Sequence, residues 1–113
     1  KAAEAEASLR WVLDHAAEDE YRAVARLRLA AVLLDAKRPD EALAVVSGEF
    51  QKAFEPLAAD RRGDVLLAQG KQDDAVRAYQ QALAALTSEQ SYRRLIEAKL
   101  ASLGAATPTG VAQ

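Results

Sequence analysis

The chain contains no cysteine among its 113 residues. Disulfide bonds, thiolate zinc sites and a cysteine nucleophile are therefore excluded, although this absence fits an oxidising and a reducing compartment equally. Aromatic residues are also scarce, at 5% of the chain, and the few prolines and glycines form no low-complexity segment. Because the formal net charge is only −2, no overall electrostatic field directs the protein towards nucleic acid or a membrane surface.

Long hydrophobic runs are missing as well. None approaches the ~20 apolar residues that a membrane-spanning helix requires, and no signal peptide is recognisable. At this length the chain is one domain or part of one. It begins at Lys1, without methionine and inside a predicted helix, so we expect it to be a fragment of a longer protein.

The sequence is rich in alanine, leucine, glutamate, arginine and glutamine, which lose little rotamer freedom in a helix. Apolar residues recur at intervals of three and four, which indicates amphipathic helices. We predict an all-α fold of about six helices, with these approximate bounds: 2–17, 20–36, 39–47, 53–69, 72–86 and 88–103. Thr87 and Gln90 fit a capping box before the last helix. The domain then spans 1–104, and the tail 105–113 should be disordered because it has nothing to bury.

One stretch, from Leu57 to Leu83, predicts two antiparallel helices joined at Gly70, a residue suited to a C-terminal helix cap. Small residues lie where the two helices must approach closely, and Gly63 of the first helix is one of them. The large ring of Tyr79, on the second helix, should lie between the two helices. The spacing therefore predicts a closely packed helical hairpin.

An earlier hairpin superposes on this one when the chain is shifted by 33 residues. The matched pairs are Arg28 and Arg61, Ala30 and Gly63, Leu33 and Leu66, Leu34 and Leu67, Lys37 and Gly70, and Ala42 and Ala75. Such a period is the signature of tetratricopeptide repeats, in which each hairpin covers the open apolar face of its neighbour. We therefore predict an α-solenoid closed by the sixth helix. In the earlier unit Val46 replaces the aromatic residue, so the second helix of that unit should be short.

No catalytic constellation, cofactor motif or set of metal ligands can be assembled from the sequence. His15 is the single histidine, and neither a cysteine nor an evident serine–aspartate pair accompanies it. The glycines form no phosphate-binding loop. Asp73 and Asp74 lie at a predicted helix start, where carboxylates complement the helix dipole. We therefore predict a binding scaffold rather than an enzyme, with no cofactor and no metal ion.

The first helices of the two hairpins carry the main candidate site. Arg28 and Arg61 are one repeat apart and should point in the same direction on the concave surface that first helices line. Together with Asp64, and with Leu34 and Leu67 as an apolar floor, they would form a mixed-charge groove. Such a groove would bind an extended peptide or a partner's tail, with the arginines holding carboxylates. The alternative is a solvated face of intramolecular ion pairs.

Trp11 lies off the apolar face of the first helix, and His15 follows it one turn later. Either its ring packs on a neighbour that the stack lacks here, such as a preceding helix, or it is an exposed aromatic residue that binds a partner.

Several segments also carry a family resemblance: LRWVLDHA (9–16), RLRLA (26–30), LAADRRGDVLLAQG (57–70) and LIEAKLASLG (95–104). They resemble the tetratricopeptide-like domain of the YfgM family, the ancillary subunit of the bacterial Sec translocon. The resemblance implies a short cytoplasmic segment, one inner-membrane helix and a periplasmic repeat domain, whose C-terminal part would be this chain.

The resemblance also implies partners. Members of the family associate with the translocon and with a membrane-anchored periplasmic chaperone of the prolyl-isomerase type, to which newly exported chains are handed. A second hypothesis is a repeat scaffold of another envelope assembly complex that acts mainly through self-association, because a truncated array exposes an apolar face. An apolar stretch of ~20 residues in the full-length N-terminus would favour the first hypothesis, and a lipoprotein cysteine the second.

Overall fold

The computed structural model describes residues 1–87 and 90–105. Within these ranges the chain is helical and contains no strand, which confirms the predicted all-α fold. The helices are α1 (Ala2–His15), α2 (Asp19–Asp35), α3 (Pro39–Val46), α4 (Glu55–Ala68), α5 (Gln72–Ala85) and α6 (Gln90–Ser102), with a 3-10 turn at Lys52–Phe54 before α4. None of the described helices has the length and apolar character needed to cross a membrane.

Two parts of the predicted organisation lie outside the described residues. They are positions 88 and 89 of the capping box, together with the Gln90 side chain, and positions 106–113 of the predicted tail. Ala105, the one described residue of that tail, is partly buried against the core next to α6.

The ends of the hairpins' first helices repeat the same hydrogen-bonding pattern. Gly70 ends α4 with a φ of 80°, and Lys37 ends α2 with a φ of 64°. At α4 the next backbone N–H donates to the Leu66 carbonyl at 2.9 Å, and at α2 the equivalent bond reaches Leu33, also at 2.9 Å. Both ends are Schellman motifs, which satisfy carbonyls that the helix leaves free. The repeat read from the sequence is therefore present in the backbone.

The side chains of the two hairpins form two core clusters. The first comprises Leu29, Ala30, Leu33, Ala42, Val46 and Val65, and the second comprises Ala59, Ala75, Tyr79, Ala82, Leu83, Leu86, Ile96 and Leu100. Val65 belongs to α4 but packs with the α2–α3 cluster, so it joins one hairpin to the next. Each fully buried aliphatic side chain contributes about 1.5–3 kcal/mol relative to exposure, and these clusters hold the stack together.

The close approach within the second hairpin depends on a glycine. A Cβ atom at Gly63 would lie 2.5 Å from Cε1 of Tyr79, a separation that side chains do not tolerate. The equivalent positions in the first hairpin are Ala30 and Val46, and both are fully buried. Compared with the second hairpin, the first has a larger residue on its first helix, Ala30 in place of Gly63, and a smaller one on its second helix, Val46 in place of Tyr79. Ala30 and Gly63 therefore occupy matching buried positions, as predicted.

The second helix of the first hairpin is short, as predicted. Helix α3 has eight residues and α5 has fourteen. Arg26 of α2 donates to the carbonyl oxygens of Val45 at 3.0 Å, Ser47 at 2.6 Å and Glu49 at 2.7 Å, and its guanidinium lies 3.7 Å over the Phe50 ring. A cation at a helix C-terminus satisfies free carbonyls and complements the dipole. Arg26 therefore fixes the end of α3 and the turn of chain that follows.

Candidate partner-binding surface

The two aspartates of α4, Asp60 and Asp64, form bonds within the fold. Lys99 Nζ of α6 lies 2.9 Å from Asp60 Oδ1 and 3.1 Å from Asp64 Oδ1. The Tyr92 hydroxyl donates to Asp60 Oδ2 at 2.6 Å, and the Tyr79 hydroxyl donates to Asp64 Oδ1 at 2.6 Å. The sequence suggested Asp64 for a partner groove. In the structure its carboxylate is bonded to a lysine and a tyrosine of its own chain.

This cluster of Asp60, Asp64, Tyr79, Tyr92 and Lys99, called the α4–α6 cluster below, is partly shielded from solvent. Asp60 is only 7% exposed. Burial alone would lower the pKa of Lys99, but its bonds to the two aspartates outweigh burial and raise that pKa above its ordinary value. Burial, reinforced by the neighbouring carboxylates, also raises the pKa of both tyrosines. Charge-assisted hydrogen bonds of this kind attach α6 firmly to α4.

The two candidate arginines have different environments. Arg28 is exposed on α2, and Arg61 is partly buried on α4. Among the described residues, neither side chain forms an ion pair or a side-chain hydrogen bond. The sequence left open that the charged residues of this face pair with one another. Asp60 and Asp64 do form ion pairs, but with Lys99 and not with these arginines.

The two candidate leucines also differ. Leu34 is partly buried and packs against the first core cluster. Leu67, its repeat equivalent, is 39% exposed on α4. The two leucines therefore do not contribute equally to the predicted apolar floor. Leu67 supplies more of the accessible apolar surface than Leu34 does.

Trp11 is exposed and is held in a defined orientation. Its ring stacks on His15, with the ring centroids 4.1 Å apart and the planes inclined by 11°. His15 Nδ1 lies 2.9 Å from the Trp11 carbonyl oxygen and donates to it. Both residues line a groove of about 540 Å³ between α1 and α2, together with Tyr21, Val24 and Arg28. We call it the α1–α2 groove; Arg61 is not among the residues that line it.

The part of the chain that the structure describes holds no group of histidine, cysteine, aspartate or glutamate residues that could bind a metal ion.

Comparisons with known proteins agree with this picture. The family model of a tetratricopeptide repeat-like domain matches residues 1–105. The chain belongs to this family. It is also 38% identical, over 99 residues, to a Neisseria gonorrhoeae protein named ancillary SecYEG translocon subunit. The alignment covers 88% of this chain and 47% of that protein, so the chain spans about half the length of its curated relative. The resemblance to the YfgM family is thereby confirmed, and no solved structure matches the chain.

Some residues of this repeat-like domain were not identified from sequence. Tyr21, 63% exposed in the α1–α2 groove, was missed because a tyrosine at the start of a helix has no distinguishing pattern. Lys99 was missed as the partner of Asp60 and Asp64, although the four-residue spacing of the aspartates puts both on one helix face. That spacing was the available signal, but it did not identify the partner helix.

Proposed function

We propose that this domain is a non-catalytic protein–protein interaction module of the Sec export machinery. The observation that carries the proposal is the 38% identity to a protein named ancillary SecYEG translocon subunit, over 88% of the present chain. A tetratricopeptide repeat-like domain supports a role in binding proteins, because stacked hairpins present an extended surface. By this proposal the domain works at the inner membrane, on its periplasmic face.

The finer proposal concerns what the module connects. The resemblance to the YfgM family suggests that the domain brings the translocon together with a membrane-anchored periplasmic chaperone of the prolyl-isomerase type. Newly exported chains would then pass from one to the other.

We further propose that the partner contacts the surface of the first helices. Arg28 and Arg61 have no ion-pair partner in the described structure, so their guanidinium groups are free to hold carboxylates of the partner. Leu67 would supply exposed apolar surface on α4, and Leu34 would contribute its accessible part. Asp64 acts indirectly, by holding Lys99 and α6 against α4.

A second candidate function is self-association within another envelope complex. The exposed Leu57 and Leu95 favour it, because large exposed apolar side chains mark interaction sites.

Site-specific photocrosslinking in the intact envelope separates the two candidates. The full-length protein would carry a photoreactive residue in place of Arg61, with a matched control in place of Ala44, an exposed residue of α3. The export proposal predicts crosslinks to SecYEG subunits or periplasmic chaperones from position 61 and not from position 44. Crosslinks that yield only dimers of the protein would contradict the export proposal and support self-association.

A further inference from the structure

We propose that the α1–α2 groove binds a short acidic segment of a partner protein, which inserts an aromatic or aliphatic side chain between Trp11 and Tyr21 and pairs a carboxylate with Arg28. This inference rests on the proposed function, since it names the chemistry of the segment that such a module would recognise.

The aromatic residues of the groove are the first reason. Five large apolar side chains are notably exposed in the described structure, namely Trp11, Tyr21, Leu57, Leu67 and Leu95. The two aromatic ones, 60% and 63% exposed, line the same groove, whereas the leucines lie on α4 and α6. Tryptophan and tyrosine dominate binding energy at protein interfaces because each offers a large, rigid surface. A groove of about 540 Å³ is large enough to receive bulky side chains.

The orientation of Trp11 is the second reason. The indole is stacked on His15, and His15 is in turn hydrogen-bonded to the Trp11 carbonyl oxygen. These contacts hold both rings before any partner arrives. A preorganised aromatic surface loses less conformational entropy on binding than a mobile one does.

The charge of the groove is the third reason. Arg28 is the cationic residue among those that line it, and no aspartate or glutamate does. Other arginines of this region are engaged: Arg22 donates to the Leu13 carbonyl oxygen, and Arg38 bonds to Glu6 and Glu41. Arg28 has no such partner among the described residues. An unpaired guanidinium beside apolar walls selects a ligand that combines a carboxylate with an apolar side chain.

The same charges argue against a second copy of this chain as the occupant. In a two-fold dimer the same patch of both copies meets, so the interface would hold two Arg28 guanidinium groups and no carboxylate from the groove. Like charges placed together at an interface disfavour association. The groove therefore fits a different, acidic partner better than it fits itself.

Selection of peptides on the purified chain tests the proposal. A random peptide library would be displayed and selected, and the best peptide synthesised and titrated while the fluorescence of Trp11, the single tryptophan, is followed. The proposal predicts that the selected peptides combine Asp or Glu with an aromatic or aliphatic residue. Replacing the acidic residue of the peptide by its amide should weaken binding about tenfold.

Matched variants locate the site. Trp11→Ala, followed by calorimetry, and Arg28→Gln should each weaken binding about tenfold, whereas Leu95→Ala and Arg94→Gln on α6 should change it less than about twofold. In Arg28→Gln the amide peptide and the acidic peptide should bind equally, because their difference depends on that guanidinium.

The result that would overturn the inference is equally specific. It is overturned if no peptide is selected, if the selected peptides are basic, if Trp11→Ala leaves binding unchanged, or if Trp11 becomes buried only through self-association. Its failure is distinguishable from failure of the export proposal. Crosslinks to SecYEG from position 61 without peptide binding at the groove would refute the inference alone, and peptide binding without such crosslinks would refute the export proposal alone.

Discussion

The two ends of the helical array are built differently. At the C-terminal end α6 buries Ile96 and Leu100 completely and is tied to α4 through the partly buried α4–α6 cluster. At the N-terminal end α1 has no fully buried residue, and its ion pair from Glu6 to Arg38 is only partly shielded from solvent. One end is therefore closed by packing and polar bonds, while the other keeps aromatic surface exposed.

Truncating one leucine at each end should give the largest difference in the free energy of unfolding between the two ends. Leu100→Ala on α6 removes a fully buried side chain and should lower the free energy of unfolding by about 3 kcal/mol. Leu13→Ala on α1, where the side chain is only partly buried, should cost about 1 kcal/mol. Urea denaturation of both variants measures the two values. Equal losses would contradict the distinction between a closed and an open end.

Replacing Lys99 at the C-terminal end and Arg38 at the N-terminal end should give a smaller difference in stability between the two ends. Lys99→Met leaves Asp60 and Asp64 partly buried without a cation and should cost about 2 kcal/mol. Arg38→Met breaks a partly shielded ion pair to Glu6 and an exposed one to Glu41, and it should cost less than Lys99→Met does. Thermal and urea unfolding check both values, and a larger cost for the Arg38 variant would reverse the comparison.

Alkaline pH should weaken the C-terminal end. The pKa of Lys99 is raised above its ordinary value of 10.5, and the pKa values of Tyr79 and Tyr92 are raised above 10.0. A group with a raised pKa contributes stability below its unfolded pKa and loses that contribution as pH rises through its folded pKa. The stability difference between the wild-type chain and Lys99→Met should therefore shrink at pH values above about 10.5. A difference that stays constant at high pH would contradict the assigned role of Lys99.

Acidic pH should weaken the N-terminal end. Hydrogen bonds from Arg38 lower the pKa values of Glu6 and Glu41 below their ordinary value of 4.5. Groups with lowered pKa values contribute stability above the unfolded pKa and lose it as pH falls through the folded pKa. The stability difference between the wild-type chain and Arg38→Met should therefore vanish as the pH falls below 4.5. Unfolding curves of both proteins across this range measure it, and a difference that stays constant would contradict the assigned role of Arg38.

The two left-handed turns should respond in opposite directions. Lys37→Gly removes the strain of a side chain at φ 64° and should stabilise the chain by up to about 1 kcal/mol. Gly70→Ala introduces that strain at φ 80°, where the new Cβ would meet no neighbour within 4 Å, and should cost about 1 kcal/mol. Chemical denaturation measures the change in the free energy of unfolding for both variants. A stabilising Gly70→Ala would show that the two turns are not equivalent.

The smallest effect on stability is expected at the candidate binding residues. The double variant Arg28→Gln with Arg61→Gln removes no ion pair of the described structure, so its melting temperature should stay nearly unchanged. Binding to SecYEG or to the periplasmic chaperone should nevertheless weaken. Surface plasmon resonance with the full-length protein measures this loss, and unaltered binding would remove both arginines from the proposed site.

The fold could be predicted from the sequence because it depends on local and periodic features. The shift of 33 residues matched Ala30 with Gly63 and Lys37 with Gly70, and the structure gives each pair the same role. These roles follow from residue size and backbone conformation, which can be read position by position.

The electrostatic contacts could not be predicted in the same way. Lys99 lies 39 residues from Asp60, and Arg38 lies 32 residues from Glu6. Their pairing depends on the angles at which helices cross, and no spacing in the sequence encodes those angles. For the same reason the sequence paired Arg28 with Arg61 by register, but gave no sign that Arg28 shares a groove with Trp11.

Hydrogen exchange of the full-length protein, alone and with SecYEG in lipid nanodiscs, tests most directly whether the surface of α1 and α2 binds the partner. The account predicts that amides of α1 and the first turns of α2 exchange faster than those of α6 in the free protein and gain protection when SecYEG is added. Protection that appears only in α6, or no change in α1, would contradict it.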